Sequence, residues 1–405
     1  MGKKTGVVFA SVILFISIMA AVFLINFGEN SHVPNSVNPP VDSSGEQNMA
    51  AELDFRELVS STGPFAAQID EYLEYERGLM SEGEVVFSFA GDCTLGTSPG
   101  FNPKTRFDTI YEQSGSPTYC FDLVKSFFEN DDYTYINLEG ALTTSEKRRN
   151  KTFNFKGDPS WAKKLIADSY IDGCNIANNH SSDWMEQGFA DTKKAVLDAG
   201  MDAGYEDIPI IKPFGELEVV LLSGNYVWPE RYKAKDMTAL LLKEIDKYKR
   251  ADNIVILNLH WGIEAATVPN RDCIDLAHEF IDAGVDLIIG NHSHTVQSIE
   301  LYNDKYIFYS LGNFAFGGGQ STDRLSRNSM IVRPRFAIIE GEAVITGMSV
   351  IPCYSTSAED LERNNYQPRP LFGKEAEALR KIFISNSRHI KDGVEELDCP
   401  TADVE

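Results

Sequence analysis

The sequence predicts an α/β fold, because short apolar runs alternate with helical segments from residue 84 onward. The runs are continuous stretches of β-branched and aromatic residues, which is the pattern of strands buried on both faces of a sheet. The strand candidates are residues 85–90, 133–138, 173–177, 219–223, 253–259, 286–290 and 305–311. Gly200 and Gly284 each close a helical segment, as a left-handed residue at a helix end would. A sheet covered by helices is therefore expected.

The helical segments lie between these strands, and an antiparallel hairpin follows them. The helix candidates are residues 120–130, 159–169, 187–200, 236–250 and 271–284. The run 333–352 contains a Glu-Gly turn between two alternating stretches, which predicts a hairpin. We take residues 84–352 as the main domain. Residues 353–405 form a less regular C-terminal extension with one predicted helix at 374–385.

The N-terminal region predicts a membrane anchor. Lys3 and Lys4 precede an uncharged apolar run at residues 7–25, which is long enough to cross a bilayer as a helix. The basic flank before this run predicts that the N-terminus lies in the cytoplasm and that the rest of the chain is extracytoplasmic. A cleaved signal peptide is the alternative, but no small-residue cleavage site follows the run. We therefore expect a cytoplasmic stub and transmembrane helix at 1–27.

Two further segments separate this anchor from the main domain. Residues 28–51 are rich in Pro, Ser and Asn and predict a flexible linker. Residues 52–83 predict a helical lead-in. Together these segments would place the main domain at a distance from the membrane.

Charge and cysteine content limit the possible partners. The chain has 37 basic and 60 acidic residues, a net charge of −23, which argues against a nucleic-acid partner and against docking on anionic lipid. Six cysteines are scattered singly without the spacing of a zinc knuckle. Buried thiols and disulfides, including a Cys353–Cys399 tether, both remain open.

Polar side chains follow five of the predicted strands directly. They are Asp92; Glu139; Asn178, Asn179 and His180; His260; and Asn291, His292 and His294. The carboxyl ends of strands form the ligand crevice in open α/β sheets, so these side chains are expected to converge.

This mixture of donors predicts a divalent metal site. Carboxylates, an amide and several imidazoles suit manganese, iron or zinc, whereas calcium prefers oxygen alone and closed structural zinc sites use thiolates. A carboxylate such as Glu139 can bridge two ions, and a nearby imidazole can protonate a leaving group. Each motif alone has a structural explanation, such as a Gly-Asp turn or a helix-capping Asn. Their combination favours one or two metal ions.

The ordered motifs resemble those of the CapA family of poly-γ-glutamate capsule proteins, within the calcineurin-like metallophosphoesterase superfamily. They are GDCTLG (91–96), NLEG (137–140), NNH (178–180), HWGIE (260–264), GNHSH (290–294) and YSLGNF (309–314). The match covers roughly residues 85–320. It implies a four-layer α-β-β-α sandwich with two central sheets, and a metal-dependent hydrolase-type domain.

The resemblance also implies a role for each site residue. The first metal would be held by Asp92, Glu139 and His294, and the second by Glu139, Asn179, His260 and His292. His180 would be the general acid. Ligand-orienting or substrate-contacting roles would fall to Asn178, Glu264, Asn291 and Asn313. Thr94 stands where the superfamily has the first-motif His, so the first metal is expected to be weak, exchangeable or absent.

Three functions remain open at this point. The first is a role in making, exporting or anchoring a poly-γ-glutamate-type capsule, in company with other capsule-synthesis membrane proteins. The second is an extracytoplasmic phosphoesterase or amide hydrolase unrelated to capsule, and the third is a non-catalytic scaffold that binds polymer. The basic loop Lys147, Arg148, Arg149 and Lys151 is either an exposed face or a contact for an anionic polymer. His278 is expected to be solvated.

Overall fold

The structure is a computed structural model that describes residues 62–228, 232–317 and 323–399. The predicted anchor at 7–25 and linker at 28–51 lie outside these residues. Within the described ranges, no helix combines the length and apolar character that a bilayer crossing requires.

The described residues form a mixed α/β fold with two large sheets and one small one. The strands are β1 (Val85–Cys93), β2 (Tyr133–Leu138), β3 (Ala141–Leu142), β4 (Lys156–Gly157), β5 (Gly173–Asn175), β6 (Asp202–Gly204), β7 (Ile210–Phe214), β8 (Leu217–Asn225), β9 (Asn253–His260), β10 (Leu287–Asn291), β11 (Ile299–Tyr302), β12 (Lys305–Phe308), β13 (Asn328–Ile339), β14 (Glu342–Tyr354) and β15 (Arg369–Pro370). The α-helices are α1 (Ala66–Leu79), α2 (Phe107–Ser114), α3 (Lys125–Glu129), α4 (Met185–Asp198), α5 (Ala234–Tyr248), α6 (Arg271–Ala283) and α7 (Gly373–Ser387).

The first sheet has seven strands in the order β15-β14-β13-β1-β2-β5-β6. Its strands β1, β2, β5 and β6 are parallel, and the predicted hairpin β13–β14 is antiparallel and pairs with β1. The second sheet has six strands in the order β11-β12-β10-β9-β8-β7, with β8, β9, β10 and β12 parallel. The parallel strands of each sheet therefore end at a common edge.

Alternating side chains place each sheet between two apolar cores. Ile254 and Ile256 of β9 pack in a core that also contains Phe87 and Phe89 of β1, so the sheets lie face to face. Val255 of β9, on the opposite face of its strand, packs in a different core with residues of α5 and α6. The outer face of the first sheet packs against α1, α3 and α4. The layers therefore run helices, sheet, sheet, helices.

Two predicted helices are wrong in extent. Residues 120–130 form a 3₁₀ turn at Tyr119–Phe121 and the five-residue α3, and residues 159–169 form a π turn at Ala162–Ile166 and a 3₁₀ turn. Phe121, Val124 and Phe127 are fully buried. Packing of these side chains into the core overrides the helical preference of the sequence.

The segments that flank the main domain pack against it. The lead-in supplies α1, and the C-terminal extension supplies β15 on the edge of the first sheet and α7, whose Leu379 and Phe383 lie in the core between the sheets. The six cysteines are buried and unpaired, so no Cys353–Cys399 tether forms.

Candidate metal centre

Strand ends from both sheets meet at one site. Asp92 lies near the end of β1 and Glu139 follows β2 in the first sheet, while His260 ends β9 in the second sheet. His260 pairs in register with Asn291 of β10. Because the two sheets stack with these edges together, residues about two hundred positions apart come within hydrogen-bond range, as in the contact from the His292 amide to Asp92 Oδ2 at 3.3 Å.

One group of donors consists of Asp92, Glu139 and His294, whose ligand atoms lie within 4.8 Å of one another. His294 Nδ1 lies 3.4 Å from Asp92 Oδ2, and His294 Nε2 lies 4.0 Å from Glu139 Oε1. These are the residues that the family resemblance assigned to a first metal.

A second group consists of Glu139, His260 and His292, again with ligand atoms within 4.8 Å. His260 Nε2 lies 3.5 Å from Glu139 Oε1 and 2.9 Å from Asn179 Oδ1. The four residues assigned to a second metal therefore converge. Glu139 belongs to both groups, which is the arrangement that a bridging ligand requires.

Glu264, expected as an orienting residue, also offers a donor atom. Its carboxylate forms a third group with His292 and His294, within the same 4.8 Å limit. Unlike the other donors, Glu264 is exposed. It therefore borders the opening of the site.

A strained turn after β10 presents two of the imidazoles. His292 and His294 have positive φ angles of 97° and 58°, which residues with a side chain rarely adopt. The hydroxyl of Ser293 donates to the carbonyl of Thr295 at 2.7 Å inside this turn. Backbone strain of this kind persists where the surrounding structure fixes it, and it is concentrated at functional sites.

Unpartnered polar atoms show that the donor set fits a cation. Glu139 is fully buried, yet neither of its carboxylate oxygens has a hydrogen-bond partner among the described residues. His292 Nδ1, on a side chain 4% exposed, also lacks one there. Buried polar atoms are nearly always satisfied, because an unmet one destabilises the fold. A divalent ion would satisfy all three atoms.

The pKa shifts of the donor residues also favour a bound divalent cation. Burial and the neighbouring Asp92 raise the pKa of Glu139, and burial lowers the pKa of His260. Burial and His294 lower the pKa of His292 to about 4. Burial alone would lower the pKa of His294, but the charges of Glu139 and Asp92 raise it to about 9. His260 and His292 are therefore neutral near pH 7, which is the form that binds metals.

His180 belongs to a hydrogen-bonded group that the sequence did not reveal. Its Nδ1 lies 2.6 Å from Asp183 Oδ2, and its Nε2 lies 3.9 Å from Glu139 Oε1. Lys151 donates to the other oxygen of Asp183 at 2.7 Å and to the carbonyl of Asn179 at 2.9 Å. Asp183 thus holds the ring with Nε2 toward the donor groups. Burial lowers the pKa of His180, so the ring is mainly neutral near pH 7.

The basic loop was expected to be either an exposed face or a contact for an anionic polymer; Lys147 and Arg148 are exposed, but the other two side chains bind within the protein. The ammonium group of Lys151 is bound inside the site, and the guanidinium of Arg149 donates to the carbonyl of Ser182 at 2.9 Å. The sequence offers little indication of the role of Asp183, because this residue lies three positions after His180 and outside the NNH motif.

A network of asparagines supports the carboxylate ligand. Asn137 donates to Asp92 Oδ1 at 2.7 Å, and its oxygen accepts from Asn175 at 3.0 Å and from Asn178 at 3.3 Å. Asn178 therefore acts on the site through Asn137. Asn137 and Asn175 were missed, although Asn137 lies within the NLEG motif.

The remaining predicted residues surround this centre. Asn313 Oδ1 lies 3.0 Å from His294 Nδ1, and the side-chain oxygen of the buried Asn291 has no hydrogen-bond partner among the described residues. The hydroxyl of Thr94 accepts from the amide of Gly317. Thr94 is thus bound to the backbone after the YSLGNF motif.

His278 was expected to be solvated, but its ring stacks on Tyr302 and its Nε2 lies 2.9 Å from the buried carboxylate of Glu300. It lies outside the donor groups described above.

Comparisons with known proteins point to a capsule family. The model of the family described as "Bacterial capsule synthesis protein PGA_cap" matches residues 86–318. The chain is 30% identical over 256 residues to the PGA biosynthesis protein CapA of Bacillus subtilis, covering 58% of this chain and 64% of that protein. It is 31% identical over 225 residues to the capsule biosynthesis protein CapA of Bacillus anthracis, covering 50% and 54%. The chain thus spans between half and two thirds of the length of these relatives.

Solved structures give weaker similarity. A hypothetical protein from Thermus thermophilus has a TM-score of 0.40 at 13% identity, covering 66% of this chain and 99% of that one. The calcineurin-like phosphoesterase YfkN from Bacillus subtilis has a TM-score of 0.38 at 11% identity, covering 76% and 98%.

Proposed function

Because this chain belongs to the bacterial capsule synthesis protein family, we propose that it acts in the synthesis, export or anchoring of a poly-γ-glutamate-type polymer through a metal-dependent hydrolytic site. The matched range 86–318 contains every candidate ligand. Relatives in two Bacillus species carry names for PGA or capsule biosynthesis. The assignment of the two-sheet fold to the calcineurin-like metallophosphoesterase type is part of the same proposal.

One observation carries the hydrolytic part of the proposal. Glu139 is fully buried without a hydrogen-bond donor among the described residues, and its Oε1 atom lies 3.5 to 4.0 Å from nitrogen atoms of His260, His180 and His294. A buried carboxylate without a partner destabilises the metal-free protein, and a bound cation would offset that cost. The placement of Glu139 is therefore explained by cation binding.

The residues have separate tasks in this proposal. One ion would be held by Asp92, Glu139 and His294, and a second by Glu139, Asn179, His260 and His292. When bound, manganese, iron or zinc lowers the pKa of water and polarises the group under attack. His180, oriented by Asp183, would take a proton from solvent water at its unprotonated Nε2 and then donate it to the leaving group.

The proposal includes the location of the protein. Residues 7–25 would anchor it with the N-terminus in the cytoplasm, and the described residues would act outside the membrane, beside other membrane proteins of capsule synthesis. The basic residues before the apolar run and the acidic chain after it support this orientation.

The experiment is an activity screen on the purified full-length chain loaded with manganese, iron or zinc. Substrates are bis(p-nitrophenyl) phosphate for phosphoesters and a γ-glutamyl oligomer for amides. We expect metal-dependent turnover that is lost in His180→Ala and Asn179→Ala, with the bound metal measured in each variant. Binding of the oligomer without turnover in any metal form would contradict the hydrolytic part and favour the scaffold.

A further inference from the structure

We propose that a row of aromatic rings leading from His180 to the surface binds the substrate, and that its occupant is a linear polycarboxylate chain. This inference rests on the proposed function and locates where a poly-γ-glutamate-type polymer would lie. The row consists of Phe316, Phe155, Phe153 and Phe101.

The row begins beside the donor groups. The ring centre of Phe155 lies 4.7 Å from that of His180, and the ring centre of Phe316 lies 4.7 Å from that of His294. The two phenylalanine rings are 6.2 Å apart. They therefore border the side of the site on which His180 would act.

From there the row continues outward. Phe153 lies 6.2 Å from Phe155 with the two ring planes at 6°. Phe101 lies beside both rings, 5.9 Å from Phe153 and 6.4 Å from Phe155. Exposure rises from 4% for Phe155 to 47% for Phe153. Phe153 thus offers apolar surface at the outer part of a row that starts at the site, and aromatic surface of this kind is typical of binding sites.

The segment that contains Phe153 and Phe155 also carries the positive charge that would select a polycarboxylate. Residues 147–157 (KRRNKTFNFKG) contain five basic residues and no acidic one, in a chain of net charge −23. Arg149 and Lys151 bind inward to Ser182 and Asp183. Lys147 and Arg148 are exposed, and neither forms an ion pair with any residue in the described ranges. The segment that carries Phe153 and Phe155 therefore also presents two exposed cations, five and six residues before Phe153.

The segment is held in place before any ligand binds. The amide of Asn154 donates to the hydroxyl of Ser98 at 3.0 Å, and its side chain donates to the carbonyl of Lys151 at 3.1 Å. The amide of Phe155 donates to Asp183 at 2.9 Å. A surface fixed in this way loses little conformational entropy on binding.

These features together favour a polycarboxylate. An extended polyamide presents planar amides and methylene groups to aromatic rings, while its repeated carboxylates reach the two exposed cations. The net negative charge of the chain repels a polyanion, so a basic segment is where such a polymer would approach it. The polymer would then run outward from His180, on the leaving-group side of the cleaved bond.

The test measures the affinity of the full-length chain for fluorescein-labelled poly-γ-glutamate oligomers by fluorescence anisotropy. We expect Phe153→Ala to weaken binding by about five- to tenfold, through lost apolar contact. The double variant Lys147→Glu, Arg148→Glu should weaken it by about tenfold or more at 50 mM NaCl. This second loss should shrink at 500 mM NaCl, because salt screens exposed charges, whereas the loss in Phe153→Ala should persist.

Matched controls change the same chemistry elsewhere. Tyr75→Ala removes an aromatic ring on α1 that is 49% exposed, and Lys235→Glu with Lys243→Glu reverses two exposed charges on α5. Wild-type affinity in both controls and weakened binding in both test variants supports the inference. If the wild-type chain binds the oligomer and the test variants bind it equally well, the location is wrong. If the wild-type chain does not bind it, the polymer part of the proposed function fails as well.

Discussion

At the scale of single residues, the orientation of His180 depends on one buried carboxylate. Asp183 Oδ2 contacts the ring at Nδ1 and also accepts from the amide of Phe155 at 2.9 Å, while Lys151 donates to Oδ1. With Nδ1 directed at Asp183, the Nε2 atom faces Glu139. Asp183 is therefore a positioning residue that would act on the reaction through His180.

Asp183→Asn should lower kcat by about 10²- to 10⁴-fold with little change in KM. Lys151, a charged donor, would retain the amide oxygen, so the NH₂ group would face both Nδ1 and the amide of Phe155. It would favour the opposite tautomer of His180 and lose the hydrogen bond from Phe155. The measurement is steady-state hydrolysis of bis(p-nitrophenyl) phosphate over a range of pH, because a changed tautomer alters the pH profile as well as the rate. Asp183→Glu should restore part of the rate.

The matched control for this change is Asp198→Asn, at an exposed position at the end of α4. It should leave kcat, the pH profile and the bound metal unchanged. A full rate in Asp183→Asn with normal metal content would mean that His180 does not depend on this contact.

The site was predictable to the extent that its residues follow strands. Asp92, Glu139 and His260 were identified because a strand pattern ends at each of them, and strand ends share an edge. Asp183 and Lys151 lie in irregular segments, where the sequence does not indicate which side chains turn inward. Their roles depend on how residues 147–157 fold back over the turn after His180, which is a tertiary feature.

At the scale of elements, a buried ion pair fixes the first helix to the first sheet. Arg333 of β13 is fully buried and contacts Glu76 of α1 at 2.7 Å. The guanidinium also donates to Ser88 of β1 at 2.7 Å and to the carbonyl of Phe127 at 2.8 Å. One side chain thus joins β13 to three other elements, α1, β1 and α3, and the predicted lead-in helix is part of the domain's packing.

Arg333→Met should lower the free energy of unfolding by about 3–5 kcal/mol, because it leaves the carboxylate of Glu76 buried without its partner. The measurement is urea unfolding followed by circular dichroism. The double variant Arg333→Met, Glu76→Leu should recover part of this loss, since the Glu76 charge is gone but the buried Asp131 carboxylate, 3.7 Å from the guanidinium, still loses that ion pair. Arg388→Met, at an exposed position, is the control. A double variant as unstable as the single one would show that the charge of Glu76 does not set the cost.

Continuous buried strands were the elements that the sequence predicted best. Predicted strand 133–138 coincides with β2, and predicted strand 253–259 differs from β9 by one residue. The sequence did not predict β7, whose residues alternate between buried and exposed and include Pro213, or the three-residue β6. Short or half-exposed strands carry little apolar pattern, so their pairing depends on neighbours that are distant in the chain.

At the scale of the whole molecule, the site lies where the two sheets meet. Asp92, Glu139 and Asn179 come from the first sheet and the segments that follow its strands. In the second sheet, His260 ends β9, and His292 and His294 lie in the turn after β10. Elsewhere the sheets are joined by the core between them, in which apolar side chains such as Phe89 and Ile256 meet. An ion held by both sets of ligands would therefore couple the sheets at the edge where polar groups replace apolar packing.

This coupling predicts how metal should act on the whole domain. Binding to the folded state alone stabilises it by about 2.7 kcal/mol when the free ion is at a hundred times its Kd. Addition of manganese or zinc to chelator-treated protein should raise the Tm and slow amide hydrogen exchange at the ends of both β1 and β9. Asp92→Asn and His260→Ala, one ligand from each sheet, should each reduce protection on both sides. If Asp92→Asn reduced the protection of β1 alone, or His260→Ala reduced that of β9 alone, the two sheets would not share an ion.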